Sequence, residues 1–518
     1  MKRTNLYLLL VVIIGLLLRV FLALNQQILE TDSPDYIVSG VNLIRGNGYV
    51  AIENLANLWF SPLYPLFIGI GSIIFDNLEI LSRGISVLFG VLLIPLIYLL
   101  YKKLFGNELE ALLASSLVAF YPALSYISTV AYADSLYIFL VYAFVLFGYL
   151  ATKTNKFYYY LISGALIGLA YLTRHEGAGY LILFLIILVL YNFKKVNAIK
   201  LLSFSILTII AFLLISMPYL IFLHEETGKW ALTAKTNVIL DAREEAIYSL
   251  DYEKINYGLN EDKTNLEIYS GKSGDVSYDQ FFTKDFLSRY LKNFKDNLFL
   301  LVKIFPLLII SLIGMITRFN RAILYLILIF LYSIFLYPIF FVDERYLASA
   351  IPVLAIFFLF GLFDIIKLCN NKLKGFKFPL TNNSKLFIIA IVCILFLFST
   401  LFIGIFLDSK YQKLDQATEQ KVAGLWLKNY DPGSIVMARK PWVSFYSNGI
   451  FVKMPFASYQ DTINYACSKN VKYLVIDERY VGSLRPQLSL LLNNSTEDIE
   501  LVYDNEYNKN IKIYRLRC

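Results

Sequence analysis

The 518-residue sequence contains few charged residues, few histidines and few cysteines, and each scarcity excludes a class of protein. Charged residues make up 17% of the chain and apolar residues 58%, whereas a soluble globular domain carries about 25% charged residues. Two histidines and four cysteines give neither zinc-type spacing nor a disulfide framework, and whether Cys467 and Cys518 pair is left open. The net charge of +8 comes from lysines in short loops between apolar segments, so no nucleic-acid partner is predicted. The composition predicts an integral membrane protein in a lipid bilayer.

Apolar runs recur along the chain, each of about 18–22 residues and long enough to cross a hydrocarbon core of about 30 Å. The shorter run 61–75, with Gly69 and Gly71, is predicted to lie in the outer interface or to be half inserted. With this choice, the loops rich in Lys and Arg all fall on one side, which places the N-terminus in the cytoplasm. The predicted spans are 6–24, 83–101, 110–128, 133–152, 157–173, 178–193, 200–222, 297–315, 322–341, 347–366 and 386–407.

Three longer polar segments are predicted on the outer side. Two of them, the first loop (25–82) and the second loop (223–296), belong with the helices to a transmembrane module over residues 1–407. The third is the tail 408–518, whose turn residues and strand-like runs are typical of a small α/β domain. The predicted fold is an all-α polytopic membrane protein of about eleven transmembrane helices with a small C-terminal extracytoplasmic α/β domain. The strand-like runs are Val471–Ile476 and Ile511–Leu516.

Most ionisable residues within or beside the predicted spans lie at the outer ends of those spans. A charged side chain in a bilayer costs several kcal/mol unless it faces a polar cavity or an opposite charge. Four charged loops on one side therefore predict a shared polar cavity, and the alternative is that the loop tips are simply solvated. The four groups are Asp32 with Asp35, then Asp134, then Arg174-His175-Glu176, and finally Asp343-Glu344-Arg345.

Short motifs accompany these charges in a fixed order. They are Thr31-Asp32-Ser33-Pro34-Asp35-Tyr36, Ser61-Pro62-Leu63-Tyr64-Pro65, Tyr132-Ala133-Asp134-Ser135, Leu172-Thr173-Arg174-His175-Glu176-Gly177, Thr227-Gly228-Lys229-Trp230 and Glu344-Arg345-Tyr346-Leu347. In order and placement the set resembles the GT-C superfamily of lipid-dependent glycosyltransferases. The most similar groups are the protein O-mannosyltransferases and the transferases that put aminoarabinose on lipid A. The resemblance covers nearly the whole chain, with Asp-Ser-Pro-Asp where the family often has adjacent Asp-Glu.

The resemblance implies an inverting transferase that moves a sugar from a dolichyl- or undecaprenyl-phosphate donor to an acceptor hydroxyl on the outer face. The acceptor can be a protein, a lipid or a glycan. Such a reaction requires a carboxylate that deprotonates the hydroxyl and cations that hold the phosphate leaving group. Asp32 occupies the position of the family's catalytic acidic residue, and Asp35 is the alternative base. The competing structural role for Asp35 is that of a helix N-cap.

Arg174 and Arg345 are predicted to bind the donor phosphate, because a guanidinium fork fits phosphate oxygens bidentately. The competing role for Arg345 is an ion pair with Asp343 or Glu344. A divalent metal ion bound by Asp32, Asp35 and Asp134 is left open, and no cofactor is certain. Further substrate-binding or second acidic candidates are Asp134, Glu176, Glu344 and Lys229; the first two can orient the arginines, bind the acceptor or hold a metal ion.

A transporter or flippase of a lipid-linked or anionic substrate is the alternative function. Such proteins typically have polar residues near the membrane midplane and helices broken by Gly or Pro, whereas residues 181–190 are entirely apolar. A non-catalytic scaffold or receptor would leave the charges in four separate loops without a purpose. The sequence therefore favours the transferase.

Overall fold

The computed structural model describes residues 3–192, 196–234, 250–267, 284–319, 323–339, 342–372, 394, 397–398, 416–492, 499–505 and 509–518. The chain divides into two compact units. Unit 1 comprises Met1–Asn25, Ser82–Tyr219 and Thr283–Leu414, and unit 2 comprises Gln26–Leu81, Leu220–Phe282 and Asp415–Cys518. The predicted division placed both outer loops with the transmembrane helices. In the structure, most of each loop groups with the tail.

Apolar helices make up most of unit 1. The α-helices of both units are numbered together in chain order. They are α1 (Arg3–Leu24), α2 (Ser33–Arg45), α3 (Leu63–Gly71), α4 (Leu78–Phe105), α5 (Glu108–Phe120), α6 (Pro122–Ile127), α7 (Asp134–Thr154), α8 (Phe157–Thr173), α9 (Gly179–Asn192), α10 (Ala198–Thr227), α11 (Leu250–Tyr257), α12 (Lys284–Ile304), α13 (Leu308–Thr317), α14 (Leu324–Leu336), α15 (Glu344–Leu347), α16 (Ile351–Lys372), α17 (Thr418–Tyr430), α18 (Trp442–Tyr446), α19 (Tyr459–Ser468) and α20 (Val481–Leu484).

Six helices in the described part of the chain are long and apolar enough to cross a membrane. A bent pair formed by α12 and α13 raises the number to seven if it counts as one span. Apolar helices also occupy the predicted spans 157–173 and 322–341. These helices, Phe157–Thr173 and Leu324–Ile339, are shorter than the six long ones. The predicted span 386–407 lies almost entirely outside the described residues. The predicted count of eleven is therefore not confirmed.

Proline divides the predicted span 110–128 into two helices. Helix α5 ends at Phe120 and Pro122 begins α6, since proline lacks the N–H that would continue the helical hydrogen bonds. The buried Arg19 of α1 fills this break by donating from Nη1 to the carbonyl oxygens of Ala119 at 2.7 Å and Gly15 at 3.1 Å. A buried cation in an apolar helix thus satisfies backbone acceptors that the interrupted helix exposes.

The predicted span 297–315 is also not one straight helix. Helices α12 and α13 meet at an angle of 98°, and Pro306 lies between them. Lysine and arginine alternate with leucine and phenylalanine along α12 (Lys284–Ile304). This amphipathic pattern is typical of a helix that lies along a membrane interface. The predicted half-inserted segment forms α3, whose nine residues are too few to cross about 30 Å at 1.5 Å per residue.

The tail forms a five-stranded sheet with the order β2-β1-β3-β5-β4. Strand β1 pairs in parallel with β2 and β3, while β5 runs antiparallel to β3 and β4. The two predicted strand-like runs correspond to β3 and β5, so a small C-terminal α/β fold is confirmed. The strands are β1 (Ile435–Ala438), β2 (Ile450–Lys453), β3 (Tyr473–Asp477), β4 (Ile499–Asn505) and β5 (Ile511–Leu516).

Segments distant in sequence complete this sheet domain. The first loop contributes Ile52, whose carbonyl accepts from Phe451 N–H of β2 at 3.1 Å and whose side chain packs in the core on one side of the sheet. The second loop contributes Tyr257, which packs in the other core. Cys467 and Cys518 form a disulfide, which settles the pairing that the sequence left open. Unit 2 is therefore one folded body built from both loops and the tail.

Candidate functional site

Asp32 is the N-cap residue of α2, and its carboxylate makes no capping hydrogen bond. The helix begins there because Pro34 fits the first turn, where its missing N–H costs nothing. Asp35 lies in the first turn of the helix and accepts from the Ile52 backbone N–H at 3.4 Å. The competing N-cap role predicted for Asp35 is therefore wrong, since the cap position belongs to Asp32.

Close helix packing fixes the position of α2 within unit 2. Gly40 of α2 crosses Gly69 of α3 so tightly that a Cβ on Gly40 would meet the Pro65 carbonyl at 2.1 Å. Asn57 donates to the Ser39 hydroxyl at 2.7 Å and so ties the first loop back to α2. These contacts hold the start of α2 in place.

Asp32 and Asp35 line a cavity of about 200 Å³ within unit 2. Its wall combines three carboxylates, three cations and several aromatic side chains. A polar pocket with aromatic faces suits a ligand that is itself partly polar and partly apolar. The charged lining residues are Asp32, Asp35 and Glu53 from the first loop, and Arg439, Lys440 and Lys453 from the tail; the aromatic ones are Trp59, Phe60, Tyr257 and Phe451.

Burial and neighbouring charges in this cavity shift the pKa values of one carboxyl group and one ammonium group. Burial and the neighbouring Glu53 raise the pKa of Asp35 to about 8, although Lys453 acts in the opposite direction. Lys440 is buried, and burial together with Arg439 lowers the pKa of its ammonium to about 7, against the effect of Asp32. Asp35 therefore retains its proton at neutral pH, which makes it a poor base there.

A closed ion cluster lies behind the cavity wall. Glu253 of α11 accepts from Arg485 Nη1 at 2.6 Å and from Arg439 Nε at 3.0 Å, and Arg485 also donates to the Met454 carbonyl at 2.9 Å. All three charged side chains are buried. Arg439 also lies over the Tyr257 ring at 4.8 Å. Glu253 thus fixes a guanidinium that lines the cavity.

A second cluster of charges forms within unit 1, where three predicted loops meet. Asp134 at the start of α7 accepts from Arg174 Nη1 and, at 3.0 Å, from Arg345 Nη2. Arg174 also donates to Glu176 at 3.1 Å. Among the roles left open for Asp134 and Glu176, this geometry favours orientation of the two arginines.

Aromatic rings stack against the planar faces of the same two guanidinium groups. Arg345 lies 3.7 Å above the centre of the Tyr132 ring, and Arg174 lies 4.7 Å from that of Tyr346. Such stacking keeps a guanidinium plane fixed while its edges remain available for hydrogen bonds. The Arg174 and Arg345 side chains keep 12% and 27% of their surface exposed.

The acidic neighbours of Arg345 have other partners. The Asp343 carboxylate accepts from the Arg345 backbone N–H at 2.8 Å and so caps α15. Glu344 forms an ion pair with Lys303 at 3.5 Å. The Arg345 side chain itself forms an ion pair with Asp134 at 3.0 Å, and the competing role of a pair with Asp343 or Glu344 stays a prediction.

The remaining candidates lie apart from these clusters. Lys229 is exposed in the turn that ends α10 and does not line the Asp32 cavity. His175 Nε2 is 3.0 Å from the Tyr219 hydroxyl. In the part of the chain that the structure describes, no three His, Cys, Asp or Glu side chains are grouped as a metal site. Asp32 and Asp35 belong to unit 2, and Asp134, Arg174 and Arg345 belong to unit 1.

Sequence reasoning missed the charged residues that the tail contributes to the cavity. Arg439 and Lys440 follow β1, and Lys453 ends β2. In the sequence they resemble ordinary surface charges at strand ends, because only the parallel β1–β2 pairing brings them to one edge of the sheet. The adjacent Arg-Lys-Pro-Trp at 439–442 is the one local signal, and it is weak.

The fold and the family comparisons agree with the sequence motifs. Residues 60–222 match the sequence model of the family described as dolichyl-phosphate-mannose-protein mannosyltransferase. A comparison with curated proteins found no match. The resemblance to the GT-C superfamily is confirmed, and the chain is a multi-pass membrane protein with a GT-C-like fold.

Two solved structures illustrate the shared fold. The oligosaccharyltransferase of Archaeoglobus fulgidus in the apo form superimposes with a TM-score of 0.59 at 16% identity, covering 91% of this chain and 70% of that one. ArnT from Cupriavidus metallidurans bound to undecaprenyl phosphate gives a TM-score of 0.55 at 14% identity, covering 98% and 97% of the two chains.

Proposed function

We propose that the protein is an inverting membrane glycosyltransferase that moves a sugar from a polyprenyl-phosphate donor, dolichyl or undecaprenyl, to an acceptor hydroxyl. The observation that carries this proposal is the Arg174–Asp134–Arg345 cluster, which presents two fixed guanidinium groups with part of their surface exposed. Guanidinium pairs of this kind suit phosphate oxygens. The family match at residues 60–222 and the fold shared with a protein that binds undecaprenyl phosphate support the same donor class.

The proposed reaction uses one carboxylate as the base and two arginines to bind the phosphate leaving group. Asp32 accepts the proton of the acceptor hydroxyl as the oxygen attacks the anomeric carbon, and the carbon–oxygen bond to the phosphate breaks. One displacement inverts the anomeric centre, whereas a retained configuration would require a nucleophilic carboxylate. Arg174 and Arg345 bind the phosphate that leaves, which is acidic enough to depart without protonation.

The proposed location of the tail is extracytoplasmic. The Cys467–Cys518 disulfide favours an oxidising compartment, and the predicted distribution of Lys and Arg places the N-terminus in the cytoplasm. A membrane-impermeant thiol reagent applied to intact cells after mild reduction is expected to label Cys518. Labelling only after permeabilisation would place the tail in the cytoplasm.

The decisive experiment is a transfer assay with the purified full-length protein. A panel of polyprenyl-phosphate sugars is offered with protein, lipid and glycan acceptors, and both transferred sugar and released polyprenyl phosphate are measured. Asp32→Asn is expected to lower transfer by about 100-fold or more, in the range of a lost general base. Asp35→Asn is expected to lose less, because Asp35 already carries a proton at neutral pH.

Asp76→Asn provides the matched control, since Asp76 lies exposed in the same first loop. It is expected to transfer at the wild-type rate. Full transfer by the Asp32→Asn variant would remove Asp32 as the base. Movement of a lipid-linked substrate across vesicles without release of polyprenyl phosphate would instead support a flippase.

A further inference from the structure

The turn that presents Arg174 is short and tightly packed. Arg174 has an extended backbone conformation between α8 and a 3-10 turn over His175–Ala178. Its N–H donates to the Ala170 carbonyl at 2.9 Å, and its own carbonyl accepts from the Gly177 N–H at 2.8 Å. A Cβ on Gly177 would lie 2.4 Å from the Ala170 carbonyl carbon. The turn is therefore packed directly against the end of α8.

Tyr332 of α14 bonds to this turn from a helix distant in sequence. Its hydroxyl donates to the Glu176 carbonyl oxygen at 2.5 Å. The same oxygen accepts from the Gly179 N–H, so both of its lone pairs are used. The Tyr332 ring also packs against that of Tyr180, with the ring centres 4.7 Å apart. A hydrogen bond and a ring contact together hold the hydroxyl on the turn.

The close approach of Tyr332 leaves room only for glycine at position 179. A Cβ on Gly179 would lie 2.1 Å from the Tyr332 hydroxyl oxygen and 2.6 Å from the ring carbon that carries it. Non-bonded heavy atoms pack at about 3.5–4.0 Å, so any side chain here would displace the tyrosine. The sequence Gly177-Ala178-Gly179 thus fits the turn between the end of α8 and the Tyr332 hydroxyl.

The residue that Tyr332 bonds also holds the Arg174 side chain. The Glu176 carboxylate accepts from Arg174 Nη2 at 3.1 Å, while the Glu176 backbone carbonyl accepts from Tyr332. The other edge of the guanidinium, Nη1, is bonded to Asp134, and its carbon lies 4.7 Å from the centre of the Tyr346 ring. Because a carboxylate moves with its own backbone, the Tyr332 bond limits how far Nη2 can turn.

We infer that Tyr332 is a positioning residue for the Arg174 guanidinium and acts through the backbone of Glu176. This inference rests on the proposed function, in which Arg174 binds the donor phosphate. It extends the phosphate site to α14, a helix without any charged residue. Arg174 contacts the phosphate in the bound donor as well as in the transition state. Its misplacement therefore raises KM for the donor more than it lowers kcat.

The test compares Tyr332→Phe with wild type in transfer kinetics and in the binding of undecaprenyl phosphate, measured by titration. The substitution removes one hydroxyl and keeps the ring. KM for the donor and Kd for undecaprenyl phosphate are both expected to rise about fivefold, the factor of one typical hydrogen bond. The value of kcat is expected to stay within about twofold of wild type. Unchanged KM and Kd, or a fall in kcat alone, would overturn the inference.

Tyr325→Phe is the matched control, because Tyr325 lies two turns earlier on the same face of α14. Its hydroxyl also donates to a backbone carbonyl, that of Gly148, at 2.8 Å. Both variants are expected to lose similar stability in thermal unfolding, whereas only Tyr332→Phe weakens donor binding. Equal rises in KM for the two variants would contradict the positioning role, since any lost hydroxyl bond would then have the same effect.

A double-mutant cycle tests whether Tyr332 acts through Arg174. In an Arg174→Lys background the forked contact with Glu176 and with phosphate is already lost. Tyr332→Phe is therefore expected to add no further rise in KM for the donor. Independent, multiplied rises in KM would show that the two residues act separately, and the inference would fail.

A second measurement does not depend on transfer or on donor binding. The rate at which phenylglyoxal modifies Arg174 in the purified full-length protein, followed by mass spectrometry, reports how firmly the guanidinium is held. Tyr332→Phe is expected to raise this rate about fivefold, and Tyr325→Phe to leave it unchanged. Equal rates in all three proteins would refute the positioning role. Faster modification in Tyr332→Phe, when wild type neither binds undecaprenyl phosphate nor transfers sugar, would support the positioning role and count against the proposed function.

Discussion

Each unit of the protein contains a carboxylate bonded by two arginines, and the two clusters differ in exposure. In unit 1, Asp134 holds Arg174 and Arg345, whose side chains keep part of their surface exposed. In unit 2, Glu253 holds Arg439 and Arg485, and no side chain of this trio is more than 5% exposed. The same pairing chemistry therefore yields an open cluster suited to binding an anion and a closed cluster suited to joining segments of the chain.

The largest expected effect is that of Asp134→Asn in the open cluster. The two guanidinium groups lose the carboxylate that orients them, and loss of one preorganised donor typically costs about 100- to 1,000-fold in rate. We expect transfer to fall by at least that factor, with weaker binding of undecaprenyl phosphate measured by titration. Asp364→Asn is the control, since Asp364 pairs with the exposed Arg318 and such surface pairs contribute little. Equal losses in the two variants would contradict the assignment.

Glu253→Gln in the closed cluster is expected to lower the free energy of unfolding and to leave the rate of transfer per folded molecule unchanged. Removing one partner of a buried ion pair leaves charges uncompensated and costs about 3 kcal/mol. Chemical unfolding of the purified protein, followed by tryptophan fluorescence, measures the loss. Glu261→Gln, an exposed change in the same loop, is expected to leave stability unaltered. If transfer per folded molecule collapsed in Glu253→Gln, the cluster would have to act directly on the substrate.

Arg345→Lys tests whether the open cluster depends on guanidinium geometry. Lysine keeps the charge but loses both the stacking over Tyr132 and the forked contact with a phosphate. We expect donor affinity to weaken about tenfold, equivalent to about 1.4 kcal/mol. The measurement is the KM for the donor, and Arg318→Lys serves as the control. An unchanged KM would mean that charge alone is sufficient.

The smallest expected effect concerns Asp35 and the pH dependence of stability. Its pKa is about 8 in the folded protein against an ordinary value of 3.8, so the folded state binds an extra proton between these values. The stability that Asp35 contributes is therefore greatest below about pH 4 and is lost as the pH rises toward 8. Asp35→Asn is expected to melt above wild type at pH 8, because asparagine has no proton to lose as the pH rises. The difference should shrink toward pH 5, and a constant difference would contradict the raised pKa.

Much of the fold was predictable because membrane insertion imposes a strong local rule. Apolar length alone located helices such as α1, α7 and α16. The sequence contains Pro122 and Pro306, but it does not show that a helix is interrupted at either one. Prolines also occur inside the continuous helices α4 and α10. Whether a proline interrupts a helix depends on which neighbours satisfy the freed backbone groups. At Pro122 that neighbour is Arg19, a contact across 100 residues.

The candidate site was predictable only in part. Motif order identified Asp32, Asp134, Arg174 and Arg345, and three of these four form one cluster within unit 1. Sequence reasoning gave Asp134 three roles, and only the observed geometry favours one of them. It also grouped both loops with the helices, because nothing local signals that Ile52 and Tyr257 pack in the cores of a distant sheet.

The sequence by itself determined that this chain crosses a membrane several times, that its tail folds as a small α/β domain, and that its motifs resemble those of the GT-C superfamily. These properties depend on composition and on patterns read within short windows, where apolar length and residue order suffice. Tertiary structure alone decided which charges come together: Asp134 with its two arginines, Glu253 with its two arginines, and the charged groups of the first loop and the tail that line one cavity. Such pairings join residues up to several hundred positions apart, and no local pattern encodes them because electrostatic energy depends on distance in space.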